Sequence, residues 1–210
     1  MKQLFVALML GCAAAQAEMV CLEAEQFADR GGWAIDSQFM DQMGSTFLLA
    51  HGMGAPVADA KTTVTLAQGG AYDVWAYTRN WTAPWSEHAA GTFEIRICDG
   101  EGAAATSVWR SGVLGTGTGE WRWQKAGTVT LKAGKASLAL HDLTGFDGRC
   151  DAVCLATPGT IPPARDPRQS NNRPIDQSNN RTIPPSPPTS SSAAAASRAP
   201  ARRSRRRGSD

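Results

Sequence analysis

The residues best suited to chemistry are acidic and stand at the two ends of one stretch of chain. Glu23-Ala24-Glu25 comes early, and Asp147-Gly148-Arg149-Cys150-Asp151-Ala152-Val153 comes late. Residues two apart in a strand face the same side, so Glu23 and Glu25 are expected to converge. Two carboxylates on one face repel unless a cation lies between them. If the last strand pairs beside the first, Asp151 completes an oxygen site for a hard cation such as calcium. Magnesium suits it less, because it gives up its waters reluctantly. Such a site joins the terminal strands of a sandwich and is not a catalytic signature.

A second group is aromatic. Asn80-Trp81-Thr82-Ala83-Pro84-Trp85 follows an alternating run and is expected to be a loop. Two indoles on a loop are costly unless they pack or bind. Flat apolar faces beside hydrogen-bonding groups suit pyranose rings, whose C–H faces stack while their hydroxyls bond. In that reading Trp81 and Trp85 stack a sugar. His141, Asp147 and Arg149, from the polar stretch 141–149, bond its hydroxyls. The alternatives are structural: the indoles cap the edge of the fold, and the polar stretch is a turn in which Arg149 pairs Asp142 or Asp147. Trp33, Trp75, Trp109, Trp121 and Trp123 read as core or rim packing.

Other chemistries find little: a carboxylate pair for glycoside hydrolysis stays open, but the only pair that stands out is Glu23 and Glu25, placed where a structural ion would sit. There is no G-x-x-x-x-G-K-[ST] and no G-x-S-x-G. Gly115-Thr116-Gly117-Thr118-Gly119 lacks the spacing of a dinucleotide loop and runs into Glu120-Trp121, so it reads as a flexible turn. His51, His88 and His141 lie far apart with no H-E-x-x-H. Cys150-x-x-x-Cys154 has no matching pair for zinc. No nucleophile, base or cofactor loop emerges, so an enzyme is not expected.

The elements that must position these residues are strands. Residues 62–67 alternate with Val64 and Leu66 inward. Residues 71–78 alternate with Tyr72, Val74 and Ala76 on one face and Trp75 and Tyr77 on the other. Residues 92–98 set Phe93, Ile95 and Ile97 against Glu94 and Arg96, and end at the turn signal Asp99-Gly100. Residues 128–132 and 136–140 flank a hairpin-like break at Ala133-Gly134-Lys135, and 152–155 form the final strand. Residues 37–49 read as loop and short strand. Short alternating runs with glycine turns predict an all-β, antiparallel β-sandwich, and the missing helical crossovers exclude a parallel sheet.

Three segments differ in composition. Residues 1–17 read as a signal peptide: Lys2, an apolar run, then Ala15-Gln16-Ala17 before Glu18. This predicts a secreted or periplasmic protein. A lipoprotein acylated on Cys12 is the rival, with Met9-Leu10 a poor recognition box. Residues 18–158 hold all seven tryptophans and are expected to be one domain. Residues 159–210 are rich in Pro, Ser, Asn and Arg, repeat Gln169–Arg173 as Gln177–Arg181, and are expected to be disordered. Residues 1–158 hold 11 Lys+Arg against 16 Asp+Glu, a net of −5. Residues 159–210 hold 10 against 3, a net of +7. The overall +2 thus joins an acidic body to a basic tail. The tail's arginine cluster either meets anionic polymers or membrane surfaces, or is simply solvated. No nucleic-acid partner and no transmembrane segment are expected. After cleavage Cys21, Cys98, Cys150 and Cys154 remain. Cys21 bridges Cys150 or Cys154 if the terminal strands are neighbours, or all four are buried thiols.

Glu23-Ala24-Glu25, Gly70-Ala71-Tyr72-Asp73-Val74-Trp75 and Cys150-Asp151-Ala152-Val153 resemble carbohydrate-binding modules of families 6 and 35. The resemblance implies a galactose-binding-like jelly roll with a structural calcium on Glu23, Glu25 and Asp151. A longer likeness, over about residues 20–157, runs through Gly31-Gly32-Trp33, Gln38-Phe39, Met43-Gly44-Ser45, Leu49-Ala50-His51-Gly52, 56–60 and 141–151. It resembles the accessory domain of secreted bacterial FAD-dependent oxidoreductases. That implies a flavin enzyme domain as a partner. In such proteins the flavin domain usually follows; here the tail stands in its place, so no FAD is expected in this chain. The leading expectation is a non-catalytic module that holds a secreted protein on glycan.

Overall fold

The computed structural model describes residues 18–100 and 108–165. All the described residues fall in one compact unit. The signal-peptide and Cys12 readings, the octad repeat and the arginine cluster lie outside the described residues. The strands are β1 (Met19–Glu23), β2 (Ala34–Asp36), β3 (Phe47–His51), β4 (Ala60–Leu66), β5 (Gly70–Thr78) and β6 (Phe93–Asp99). They continue as β7 (Val108–Arg110), β8 (Arg122–Leu131), β9 (Gly134–Asp142), β10 (Phe146–Cys150) and β11 (Ala152–Ala156). A 3-10 turn covers Ala24–Gln26, and the short helix α1 covers Met40–Met43.

One sheet has the order β1-β11-β5-β8, a second β4-β9-β6-β7, and a small one β10-β3-β2. Every named pair is antiparallel. The fold is therefore an all-β sandwich, as the alternating runs predict. The alternation also predicts the inner faces. Val64 and Leu66, then Tyr72, Val74 and Ala76, then Phe93, Ile95 and Ile97 are all buried in one main core. Trp33 meets Phe93 edge-to-face there, at 5.7 Å between ring centres. Each such side chain fully withdrawn from water contributes about 1.5–3 kcal/mol before entropy is counted.

The break at 133–135 is not a hairpin. Gly134 has φ +110 and turns the chain, but β8 pairs with β5 and β9 pairs with β4 and β6. The turn hands the chain from one sheet to the other. Local alternation cannot tell these outcomes apart, since both need a tight turn between two half-buried strands.

A smaller aromatic cluster lies on the opposite side of the β1-β11-β5-β8 sheet from the main core. Tyr77, Phe47 and Met43 are buried there, with Phe39, Trp121 and Trp123 packed against them. Trp121 stacks on Tyr77 at 6.0 Å, and Trp123 meets Tyr77 at 5.1 Å. Residues 37–49 supply the lid of this cluster through α1 and the start of β3.

β1 and β11 are neighbours, with Cys21 opposite Cys154, and the two form a disulfide. Cys150 is a buried free thiol, held well above its ordinary range by burial and then by neighbouring Asp151. The bridge closes a loop of sequence separation 133, for which chain entropy gives roughly 4–5 kcal/mol. Cys21→Ser with Cys154→Ser should lower Tm by several degrees and abolish the effect of reductant on melting. Equal melting of wild type and variant would show that the bridge does not stabilise the fold.

Candidate functional site

The chain changes partners at Asp151. Before it, β10 pairs with β3; after it, β11 pairs with β1 and β5. Asp151 N donates to Tyr77 O at 2.9 Å, and Ala24 N donates to Asp151 O at 2.9 Å. These bonds fix Asp151, fully buried, beside the end of β1. Ser45 Oγ donates to Asp151 Oδ1 at 2.9 Å.

Glu23, Glu25 and Asp151 each bring a carboxylate oxygen within 4.8 Å of the others. The three predicted residues do meet. Strand pleating is not what unites the two glutamates, though. Glu23 ends β1 and Glu25 lies in the 3-10 turn that follows. Burial pushes the Glu25 carboxyl up to about 7, and Glu23 and Asp151 push the same way. Its Oε2 is buried without a hydrogen-bond partner among the described residues. An all-carboxylate set with an orphaned oxygen suits a hard cation, so the residues fit calcium.

A cation already stands there, and it belongs to the chain. Arg165 Nη2 donates to Glu23 Oε2 at 2.5 Å. Arg165 Nη1 lies 2.9 Å from Asp151 Oδ2, an ion pair by distance that falls outside hydrogen-bond geometry. The guanidinium also lies over Tyr77 at 5.4 Å and Trp123 at 6.0 Å. Burial alone would lower the Arg165 pKa; Asp151 and Glu23 outweigh it and the net shift is upward. No sequence signal marks Arg165, which falls in the stretch read as tail. Residues 159–165 run back over the sheet, with Trp123 Nε1 donating to Pro163 O at 2.9 Å. The ordered path thus extends beyond the expected domain end at 158.

The aromatic rim forms at the other end of β10. Its register with β3 shifts between Phe146 and Gly148, and Asp147 there has φ +62. Such a bulge re-aims a side chain, and Asp147 Oδ1 meets His51 Nδ1 at 2.5 Å. Gly145, at φ +65, holds the preceding turn so close that a Cβ would lie 2.0 Å from Ala55 O. The tryptophan loop is pinned by Asn80, whose Oδ1 accepts from Thr82 N at 3.1 Å and whose Nδ2 donates to Gly117 O at 3.2 Å. The glycine-rich turn at 115–119 thus supplies carbonyls to its neighbours.

Trp81 lies against Phe146, nearly parallel at 5.7 Å, and Trp81 Nε1 donates to Phe146 O at 3.0 Å. The Arg149 guanidinium lies 5.2 Å from the Trp81 ring, and its Nη1 donates to Asp147 O at 2.7 Å. Burial, above all, lowers the Arg149 pKa. Trp85 crosses Trp81 at 6.2 Å and is 76% exposed; Phe146 is 47% exposed. Trp81, Trp85, Asp147 and Arg149 therefore assemble. His141 joins no contact with them among the described residues; its Nδ1 meets Asp59 Oδ1 at 2.7 Å. His51 and Phe146 are the rim residues that the sequence reading lacks. His51 lies distant in sequence, and Phe146 sits amid polar neighbours.

No protein-family model matches the chain, and no curated protein matches it. Solved structures do. A family 35 carbohydrate-binding module from Clostridium thermocellum is 17% identical with TM-score 0.47, covering 66% of this chain and 97% of that one. The family 35 module of Cellvibrio japonicus Abf62 is 21% identical with TM-score 0.48, covering 68% and 95%. A Podospora anserina GH26-CBM35 β-(1,4)-mannanase is 17% identical with TM-score 0.49, covering 69% of this chain. The chain spans 28% of that mannanase. These are likenesses of chain course and assign no ligand.

The Glu25 shift has a sign that can be measured in metal-free buffer. A carboxyl raised from 4.5 to about 7 in the folded state binds more protons folded than unfolded between those values. Its support is complete below 4.5 and is lost as pH rises to about 7. With chelator present, wild-type Tm should fall across that window, and Glu25→Gln should flatten the fall and melt a few degrees higher above it. A pH profile identical in the two proteins would show that Glu25 titrates normally.

Proposed function

We propose that the described body is a non-catalytic glycan-binding domain of an exported protein, with calcium as a structural ion. The observation that carries the reading is the rim. An indole 76% exposed and a half-exposed phenyl ring both lie against Trp81, and the phenyl is followed in the chain by the Asp147 of a His–Asp pair, a layout of flat faces with hydroxyl-bonding groups nearby. Trp85 and Phe146 offer ring faces. Trp81 is the wall behind them, since Phe146 and Arg149 already lie against it. Asp147 and His51 bond sugar hydroxyls, and Arg149 fixes the Asp147 backbone. His141, held by Asp59, takes no direct part. The cross-strand disulfide suits an oxidising compartment. No helix among the described residues is long and apolar enough to cross a membrane.

Calcium on Glu23, Glu25 and Asp151 would join the terminal strands at the sheet junction. The alternative function is docking onto a flavin enzyme domain. Met53, 86% exposed next to the turn that leads to Phe146, favours it by widening the apolar rim.

A glycan array separates these readings without assuming the sugar. Wild type should bind at least one glycan, and Trp85→Ala should weaken that binding by about tenfold or more, as for a central aromatic anchor. Binding that survives Trp85→Ala moves the site elsewhere, and a blank array favours docking. For the ion, calcium should raise Tm over chelator-treated protein, and Glu25→Ala should abolish the rise. Equal melting with calcium and with chelator would refute the ion site.

A further inference from the structure

We propose that Arg165 is the chain's own cation for the carboxylate site, and that the segment 157–165 and a divalent cation occupy the site in exchange, the one leaving as the other binds. The proposal takes the ion from the calcium reading above and the latch from contacts in the structure.

The Arg165 seat is built on two chemistries. Glu23 and Asp151 supply charge, and Tyr77 and Trp123 supply ring faces, which together suit a planar guanidinium. Only 8% of the Arg165 side chain is exposed. The segment leading to it has few anchors. Gly159 N donates to Asp73 Oδ2 at 3.4 Å, Pro162 is buried, and Pro163 O takes the Trp123 bond. No strand pairs with it among the described residues. Apart from Thr157 N, which donates to Glu18 O at 2.9 Å, the segment is held by a few side-chain contacts, and such an element opens locally far more easily than the sheet beneath it.

Among the described residues one guanidinium faces three carboxylates and meets two of them. Among those residues Glu25 Oε2 is left without a hydrogen bond. A divalent ion in the same place doubles the positive charge and draws on all three. It cannot share Glu23 and Asp151 with Arg165, because the two cations would then stand within a few ångströms of one another. Binding of the ion therefore expels Arg165, and 157–165 goes with it, uncovering Tyr77 and Trp123. The contacts define a latch that calcium opens.

The experiment uses the full chain with calcium chloride or chelator. It follows hydrogen exchange over 157–165 and calcium affinity by calorimetry, for wild type and Arg165→Ala. In chelator, 157–165 of wild type should be protected; saturating calcium should remove the protection. Arg165→Ala should lack protection from the start and bind calcium at least about tenfold tighter, since no fraction of sites is held closed. Should Arg165→Ala fold poorly, Trp123→Phe removes the Pro163 anchor while sparing the carboxylates, and should shift both readouts the same way by less. Protection that persists at saturating calcium overturns the exchange, as does an unchanged affinity in both variants. Absence of binding heat in every protein overturns it differently, by removing the calcium reading itself.

Discussion

Everything in this molecule turns on the burial of Asp151. A carboxylate placed where water cannot reach costs several kcal/mol unless it is paired. This one lies where the last strand leaves one sheet and enters another. The main-chain bonds to Tyr77 and Ala24 leave it no freedom to retreat. The first strand ends beside it in Glu23, and the next turn adds Glu25. Three acids meet because the first and last strands meet, and the Cys21–Cys154 bridge locks the same two strands together. A cation is thus a requirement of the topology, whether it is a metal ion or a side chain.

The rim depends on the same strand. β10 runs from Phe146 to Cys150, so one short element carries Phe146 and Asp147 at its start and hands over to Asp151 at its end. Thr78 Oγ1 donates to the Arg149 carbonyl at 2.5 Å and ties the middle of β10 to β5. Two of the rim's features are local consequences of the bulge. Asp147 turns out of the ladder to reach His51, and Phe146 is left at the strand's open end beside Trp81. The ring faces offered to solvent are set by backbone geometry more than by the identity of the tryptophans.

Much of this was legible in the residues. Period-two alternation identifies the buried faces of β4, β5 and β6, and the acidic pairs at both ends identify Glu23, Glu25 and Asp151. Trp81, Trp85, Asp147 and Arg149 are likewise visible as a loop and a polar stretch. What stays hidden has physical causes. The turn at 133–135 looks the same whether it joins paired strands or two sheets. His51 meets Asp147 across 96 positions, a contact set by strand order that no local spacing encodes. Arg165 sits in a stretch whose composition says only that it cannot form a core of its own. Composition measures whether a segment can fold alone, not whether it can lie on something already folded.

That distinction explains why Arg165 in particular fills the acidic site. Between Arg149 and Arg165 the chain carries no lysine or arginine. Arg149 is committed to Trp81 and the Asp147 carbonyl. Arg165 is the first cation the chain offers after Asp151. The thirteen intervening residues include three prolines, which stiffen the return path and lower the entropy lost on docking. An acidic body followed by a basic tail is therefore more than a sum that nearly cancels. The next positive charge downstream of Asp151 is set at the distance from which it can reach the body's most costly negative charge. An arginine there also gains the stacking on Tyr77 and Trp123 that a lysine would not match, because its plane lies against the rings while its edge faces the acids.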